Sequence, residues 1–142
     1  MSTLTATSPA VPARRTLHYV LWGVQLLLAF AYLAAGSMKA TQPIDALAVQ
    51  MNWVTHVPPW LVRVIGTAEL AGALGLVLPS ALRVQPVLTP VAASLLTLVM
   101  GMAATFHVMI GEPPMMVPSL VLGSLAAFVA WGRFTRAPIS AR

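Results

Sequence analysis

The stretch GTAELAGALGLVLP, residues 66–79, holds one carboxylate, Glu69, in an apolar run that starts after Arg63 and stops before Arg83. A run of this length and character matches a membrane-crossing helix, which needs ~20 mostly apolar residues to span a hydrocarbon core about 30 Å thick. An ionisable side chain near the middle of such a helix costs roughly 2.5–3.5 kcal/mol to insert and faces a bundle interior where a partner meets it. The stretch therefore sets a fold class and a question: which residues receive Glu69, and for what purpose.

The rest of the chain repeats the apolar run without the acid. Residues 16–38, 84–111 and 113–132 contain no Asp, Glu, Lys or Arg. Of the 142 residues, 58% are hydrophobic and 8% charged, far from the composition of a soluble domain. The expected fold is an all-α membrane protein, a four-transmembrane-helix bundle with spans over about 17–37, 60–78, 90–110 and 114–131. The membrane domain covers residues 14–136. Residues 1–13, rich in Ser, Thr, Ala and Pro, read as a disordered cytoplasmic tail, and residues 137–142 as a second, short cytoplasmic tail.

The net charge of +5 does not point to nucleic acid, because the basic residues stand singly or in pairs beside the spans and form no stripe with interleaved aromatics. Arg14, Arg15, Arg83, Arg133, Arg136 and Arg142 fall at the N-terminus, the second connection and the C-terminus, whereas Lys39 and Arg63 flank the first connection. The positive-inside rule then places both termini of a multi-pass protein in the cytoplasm. Arg14-Arg15 ahead of an apolar run resembles a signal peptide, but the run is long enough to span, so an uncleaved first span is expected. The chain has no cysteine, which removes disulfide and thiol chemistry and cysteine-ligated metal.

His18, Gln25, Tyr32 and Lys39 recur every seven positions and lie on one stripe of the first span, with Gly36 beside them. Between the first two spans, Ile44, Leu47, Ala48 and Met51 keep the spacing of one apolar helical face, so a short amphipathic interfacial helix is expected there. Trp53 and Trp60 suit the headgroup level. Ala68/Gly72 and Ala71/Gly75 in the second span, and Ala93, Thr97, Gly101 and Thr105 in the third, form small-residue ridges for close helix packing. Pro79 and Arg83 are expected to end the second span, and Thr89-Pro90 to cap the third.

A rise of 1.5 Å per residue places Tyr32 about 10 Å below Lys39 and Glu69 roughly 9 Å below Arg63, so the phenol and the carboxylate arrive at similar depth. These residues outline a candidate outward-facing site: Glu69 at its floor, Tyr32 or Arg63 as hydrogen-bond donor, and Lys39, Arg63, His107 and Glu112 around the mouth, with Gln25 deeper on the stripe. A structural ion-pair network is the competing reading of the same residues. No catalytic residue is expected, and the three histidines lack metal-site spacing.

The segments WGVQLLLAFAYLAAGSMK (22–39), RVIGTAELAGALGLVLP (63–79), RVQPVLTPVAASLL (83–96), FHVMIGE (106–112) and FVAWGRF (128–134) resemble, in this order, the DoxX-like family of small bacterial four-helix membrane proteins. The family's recurring polar positions fall on Lys39, Arg63, Glu69, His107 and Glu112. The stretch PPMMVPS (113–119) departs from the more polar start expected of the last helix. The resemblance implies association with membrane redox or oxidative-stress systems, since the family takes its name from a subunit associated with a thiosulfate:quinone oxidoreductase. The expected role is a non-catalytic or quinone- or lipid-facing subunit. The bilayer, a quinone or lipid-like ligand, and a further copy of the chain or a redox-complex subunit are its partners. A small proton-coupled exporter using Glu69, or a membrane-protein assembly factor, are the alternatives.

Overall fold

In the computed structural model, which describes residues 10–142, five α-helices and three short turns of other helix types account for nearly the whole chain. The helices are α1 (Ala10–Thr41), α2 (Ile44–Gln50), α3 (Pro59–Leu82), α4 (Leu88–Met109) and α5 (Met116–Trp131). Four stretches are long and apolar enough to cross a membrane: Ala13–Thr41, Pro59–Leu82, Leu88–Met109 and Pro113–Arg136. The tail expected over residues 1–13 lies outside the described residues up to residue 9, and residues 10–13 belong to α1.

Short connections make successive spans antiparallel neighbours, and they form a ring in the order α1, α3, α4, α5, closed by a lighter contact between α5 and α1. The ends that carry Arg14, Arg83 and Arg133 lie together, as the Arg142 N–H donating to the Arg83 carbonyl (3.1 Å) and Arg133 meeting His18 (3.1 Å) require. Each span buries one stripe. On α3 it is Val62, Gly66, Glu69, Ala73, Leu76 and Ser80, and on α4 Thr89, Ala93, Leu96, Met100 and Ala104, in steps of three and four as a 3.6-residue period demands. In an 18-residue apolar stretch of each span only 22% to 33% of the residues are buried within the chain. Leu27, Phe30, Leu98 and Met109 face outward. In water such a surface would aggregate, whereas hydrocarbon covers it at no cost.

The small-residue ridges behave differently from their reading as strict i, i+4 rows. Gly72 packs on Leu96 and Gly75 on Ala92, which joins α3 to α4. Gly101 has open space around it and Thr105 is exposed, because steps of four overshoot the helical turn by about 40° each and carry the row off the buried face. At Gly36 of α1 and Gly66 of α3 backbone meets backbone: a Cβ on Gly66 would lie 2.8 Å from the Ala40 nitrogen, and one on Gly36 would lie 2.8 Å from the Gly66 carbonyl oxygen.

Two boundary expectations are corrected. Pro79 lies inside α3, which runs on to Leu82 and ends with Arg83 in the left-handed region (φ 55°). Proline removes one helical N–H and crowds the preceding turn. One residue beyond the carbonyl that loses its donor, the Leu76 carbonyl accepts from Gln25 Nε2 (2.6 Å), so α1 supplies polar support where the helix is weakened. Thr89 is no cap either. It lies fully buried in the first turn of α4, and its hydroxyl accepts from Ser80 Oγ (2.8 Å).

The interfacial helix is present as α2, followed by a 3-10 turn over Asn52–His56. Leu47, Val54 and Val62 form a small second core here, with Ile44, Ala48, Met51 and Trp53 against it. That core fastens α2 to the start of α3. Gly66→Ala is expected to destabilise the bundle by roughly 1–3 kcal/mol through overpacking, while Gly101→Ala leaves it unchanged or slightly more stable. Thermal unfolding in detergent checks this pair, and equal melting temperatures for the two variants would contradict the close crossing of α1 and α3.

Candidate functional site

The partner of Glu69 is Lys39. Its ammonium donates to both carboxylate oxygens, at 2.9 Å to Oε1 and 2.7 Å to Oε2, and both side chains are almost completely buried. The Gly36–Gly66 crossing is what allows this. It brings α1 and α3 to backbone contact one turn from both residues, leaving a short gap that the two side chains fill. Arg63 completes the arrangement by donating from Nη1 to the Lys39 carbonyl (2.6 Å), satisfying one of the free carbonyls at the C-terminal end of α1.

Lys39 is therefore inside the bundle, not at a mouth, and neither Tyr32 nor Arg63 is the donor to Glu69. Counting Cα rise alone missed that helical side chains lean towards the helix N-terminus, so the long Lys39 chain reaches back about one turn, to the level of Gly36. Tyr32 leans the same way, and its buried hydroxyl has no hydrogen-bond partner.

His107 and Glu112 meet elsewhere. Glu112 accepts from Asn52 Nδ2 (2.6 Å) and approaches His107 Nδ1 at 3.5 Å, beyond good hydrogen-bond distance, so that this buried ring nitrogen is unpartnered. These residues line a groove of about 680 Å³ between the α2 segment, the C-terminal end of α4 and the start of α5, with Trp53, Met51, Met115 and Ser119. The volume lies within the roughly 300–1,000 Å³ of small-molecule sites. Glu69 and Lys39 do not line it. The structure thus divides the expected site: Lys39, Arg63 and Glu69 join in one cluster, and His107 and Glu112 in another.

Gln25 belongs to a third group, at the opposite end of the bundle. Besides holding the Leu76 carbonyl, it accepts from Arg133 Nε through Oε1 (2.6 Å). Arg133 Nη1 meets His18 Nδ1 (3.1 Å) and donates to the Ala137 carbonyl (3.1 Å), and the guanidinium lies 5.5 Å from the centre of the Trp22 ring. Arg133 read as a topology signal in the sequence, yet it is 3% exposed. The seven-residue stripe of His18 and Gln25 was the available signal that a polar partner comes to this face. Nothing in the sequence selects Arg133 over Arg136. No three His, Asp or Glu side chains converge into a metal-binding group among the described residues.

A buried ion pair that loses one member leaves an uncompensated charge, at a cost of about 3–5 kcal/mol, whereas replacing both by apolar groups is often neutral. Glu69→Leu and Lys39→Met are therefore each expected to lower thermal stability strongly, Glu69→Gln to lower it less, and the double variant Lys39→Met/Glu69→Leu to recover most of the loss. Unfolding followed in detergent checks this. Additive losses in the double variant would show that the pair is not coupled.

A model of the DoxX-like family matches residues 23–129, which takes in most of all four spans and every residue of the Lys39–Glu69 and His107–Glu112 clusters. No curated protein and no solved structure gives a significant match. With three quarters of its length matched, in a bundle of four apolar helices, the chain belongs to the DoxX-like family and is an integral membrane protein.

Proposed function

We propose that this protein is a non-catalytic, quinone- or lipid-facing subunit of a redox or oxidative-stress system in a bacterial inner membrane, with its termini in the cytoplasm and its ligand groove on the outer side. The observation that carries the reading is the groove around His107. Its surface is mostly apolar, Asn52, His107, Glu112 and Ser119 are among its polar groups, and it includes a buried ring nitrogen that makes no hydrogen bond, with Glu112 Oε2 at 3.5 Å. An unpaired polar atom in such a place is costly and is satisfied by a ligand that brings a complementary group. A quinone fits these residues: His107 and Ser119 offer donors to its carbonyl oxygens, Trp53 an aromatic face, and Met51 and Met115 apolar walls for the ring and tail. When bound, a quinone supplies reversible two-electron chemistry, and the role of the chain is to hold and orient it.

The exporter alternative needs Glu69 to exchange protons and cargo in turn. Lys39 occupies both its oxygens and Glu69 does not line the groove, which favours a structural part for this pair.

A short-chain ubiquinone analogue titrated into the protein in nanodiscs is expected to quench tryptophan fluorescence saturably, with the signal lost in Trp53→Phe and the affinity reduced about tenfold or more in His107→Ala. Quenching that is linear in ligand, or unaffected by both substitutions, would refute the quinone groove. Orientation is tested separately. Reporters fused after Arg142 and at Arg83 are expected to be cytoplasmic, and external activity of either would reverse the assignment.

A further inference from the structure

The end of the bundle opposite the His107 groove has an imbalance of charge. The chain has three acidic residues, Asp45, Glu69 and Glu112; Asp45 and Glu112 belong to the far end, and Glu69 is held by Lys39. Six arginines, Arg14, Arg15, Arg83, Arg133, Arg136 and Arg142, therefore share this end without a carboxylate side chain among the described residues. For arginines in water that is ordinary. Arg133 is different, since it is 3% exposed, its hydrogen-bond partners are all uncharged side chains or carbonyls apart from the titratable His18, and its Nη2 has no partner. A buried guanidinium is stabilised by a compensating negative charge, and among the described residues no carboxylate side chain at this end supplies one.

The place where an anion would enter is adjacent. A groove of about 380 Å³ runs between the first turns of α1 and the π-helical turn Gly132–Arg136, lined by Arg14, Arg15, His18, Tyr19 and Arg136. Two of its lining residues, His18 and Ala137, are those that Arg133 Nη1 holds, so the buried cation sits directly behind the groove wall. Arg136 lies 5.6 Å from the centre of the Trp131 ring, which limits its motion, and Tyr19 is 73% exposed on the lipid-facing side.

We propose that this groove binds a phosphate-bearing anion, the phosphodiester headgroup of an acidic phospholipid being the form that suits its position. Arginine forks bind phosphate oxygens through paired, charge-assisted hydrogen bonds. Arg14, Arg15 and Arg136 make the direct contacts, His18 lies between them and Arg133, and the acyl chains lie along the exposed apolar face beside Tyr19. The bound anion supplies the charge that Arg133 lacks. The groove is separate from the proposed quinone site, and neither depends on the other.

The test uses the full chain in phosphatidylcholine nanodiscs and in detergent, with three probes: phosphatidylglycerol, cardiolipin and inorganic phosphate. Native mass spectrometry is expected to show a one-to-one acidic-lipid adduct that phosphatidylcholine does not replace, accompanied by a rise in melting temperature that added salt weakens. Arg14→Gln and Arg136→Gln, both at positions outside the core, are expected to reduce the adduct about tenfold or more, and Arg83→Gln, on the same end but outside the groove, to leave it intact. Arg133→Gln is read only through the lipid-dependent part of its melting temperature, since it also loses its bonds to Gln25. Equal protection by millimolar inorganic phosphate without a lipid adduct supports the anion site and assigns it to the free ion. Retention of the adduct in Arg14→Gln/Arg136→Gln, loss of it equally in Arg83→Gln, or no protection by any phosphate overturns the proposal.

Discussion

Backbone contact between α1 and α3 at Gly36 and Gly66 is the constraint on which the rest of the bundle depends. In lipid, helices gain little from hiding apolar side chains, so close packing and polar contacts must hold them together. The glycine crossing provides both. It brings two helices close enough for dispersion contacts along the backbone, and it closes the gap across which Lys39 reaches Glu69. A larger residue at either position would separate the helices, and the ion pair would open towards water or lose its geometry.

Around that crossing the polar residues form three groups at different levels. The Lys39–Glu69 pair with Arg63 locks the C-terminal end of α1 to the first half of α3. The Asn52–Glu112 bond ties the α2 segment to the connection between α4 and α5, forming one wall of a groove. Gln25 and Arg133 join α1, α3 and the end of α5 at the other end. The lighter contact between α1 and α5 is thus reinforced by side-chain bonds at a place where helix packing alone contributes least.

Much of the fold was legible because lipid imposes simple rules. Charge-free runs mark spans, and Ile44, Leu47, Ala48 and Met51 mark α2 by their spacing. The buried stripe of α1, with Gln25, Tyr32, Gly36 and Lys39, was readable for the same reason. What escaped depended on reach and on three dimensions. Lys39 could be assigned to the right stripe but not to the interior, because four methylenes and the backward lean of helical side chains decide where its charge ends. Pro79 reads as a stop, yet a helix supported by a neighbour continues past it. Arg133 and Arg136 look alike in sequence, and only the crossing with Gln25 separates a buried residue from an exposed one.

The order of the buried polar residues along the chain has a consequence for biosynthesis. Chains emerge N-terminus first. Lys39, at the end of α1, is already synthesised when Glu69 arrives with the next span, so the carboxylate enters hydrocarbon with a counter-charge within reach. Arg133 emerges last of the buried polar groups, when His18 and Gln25 have long been present to receive it. Glu69 and Arg133 thus each find hydrogen-bond partners already synthesised, while the earlier Lys39, at a helix end and four methylenes long, can hold its ammonium at the interface until Glu69 arrives.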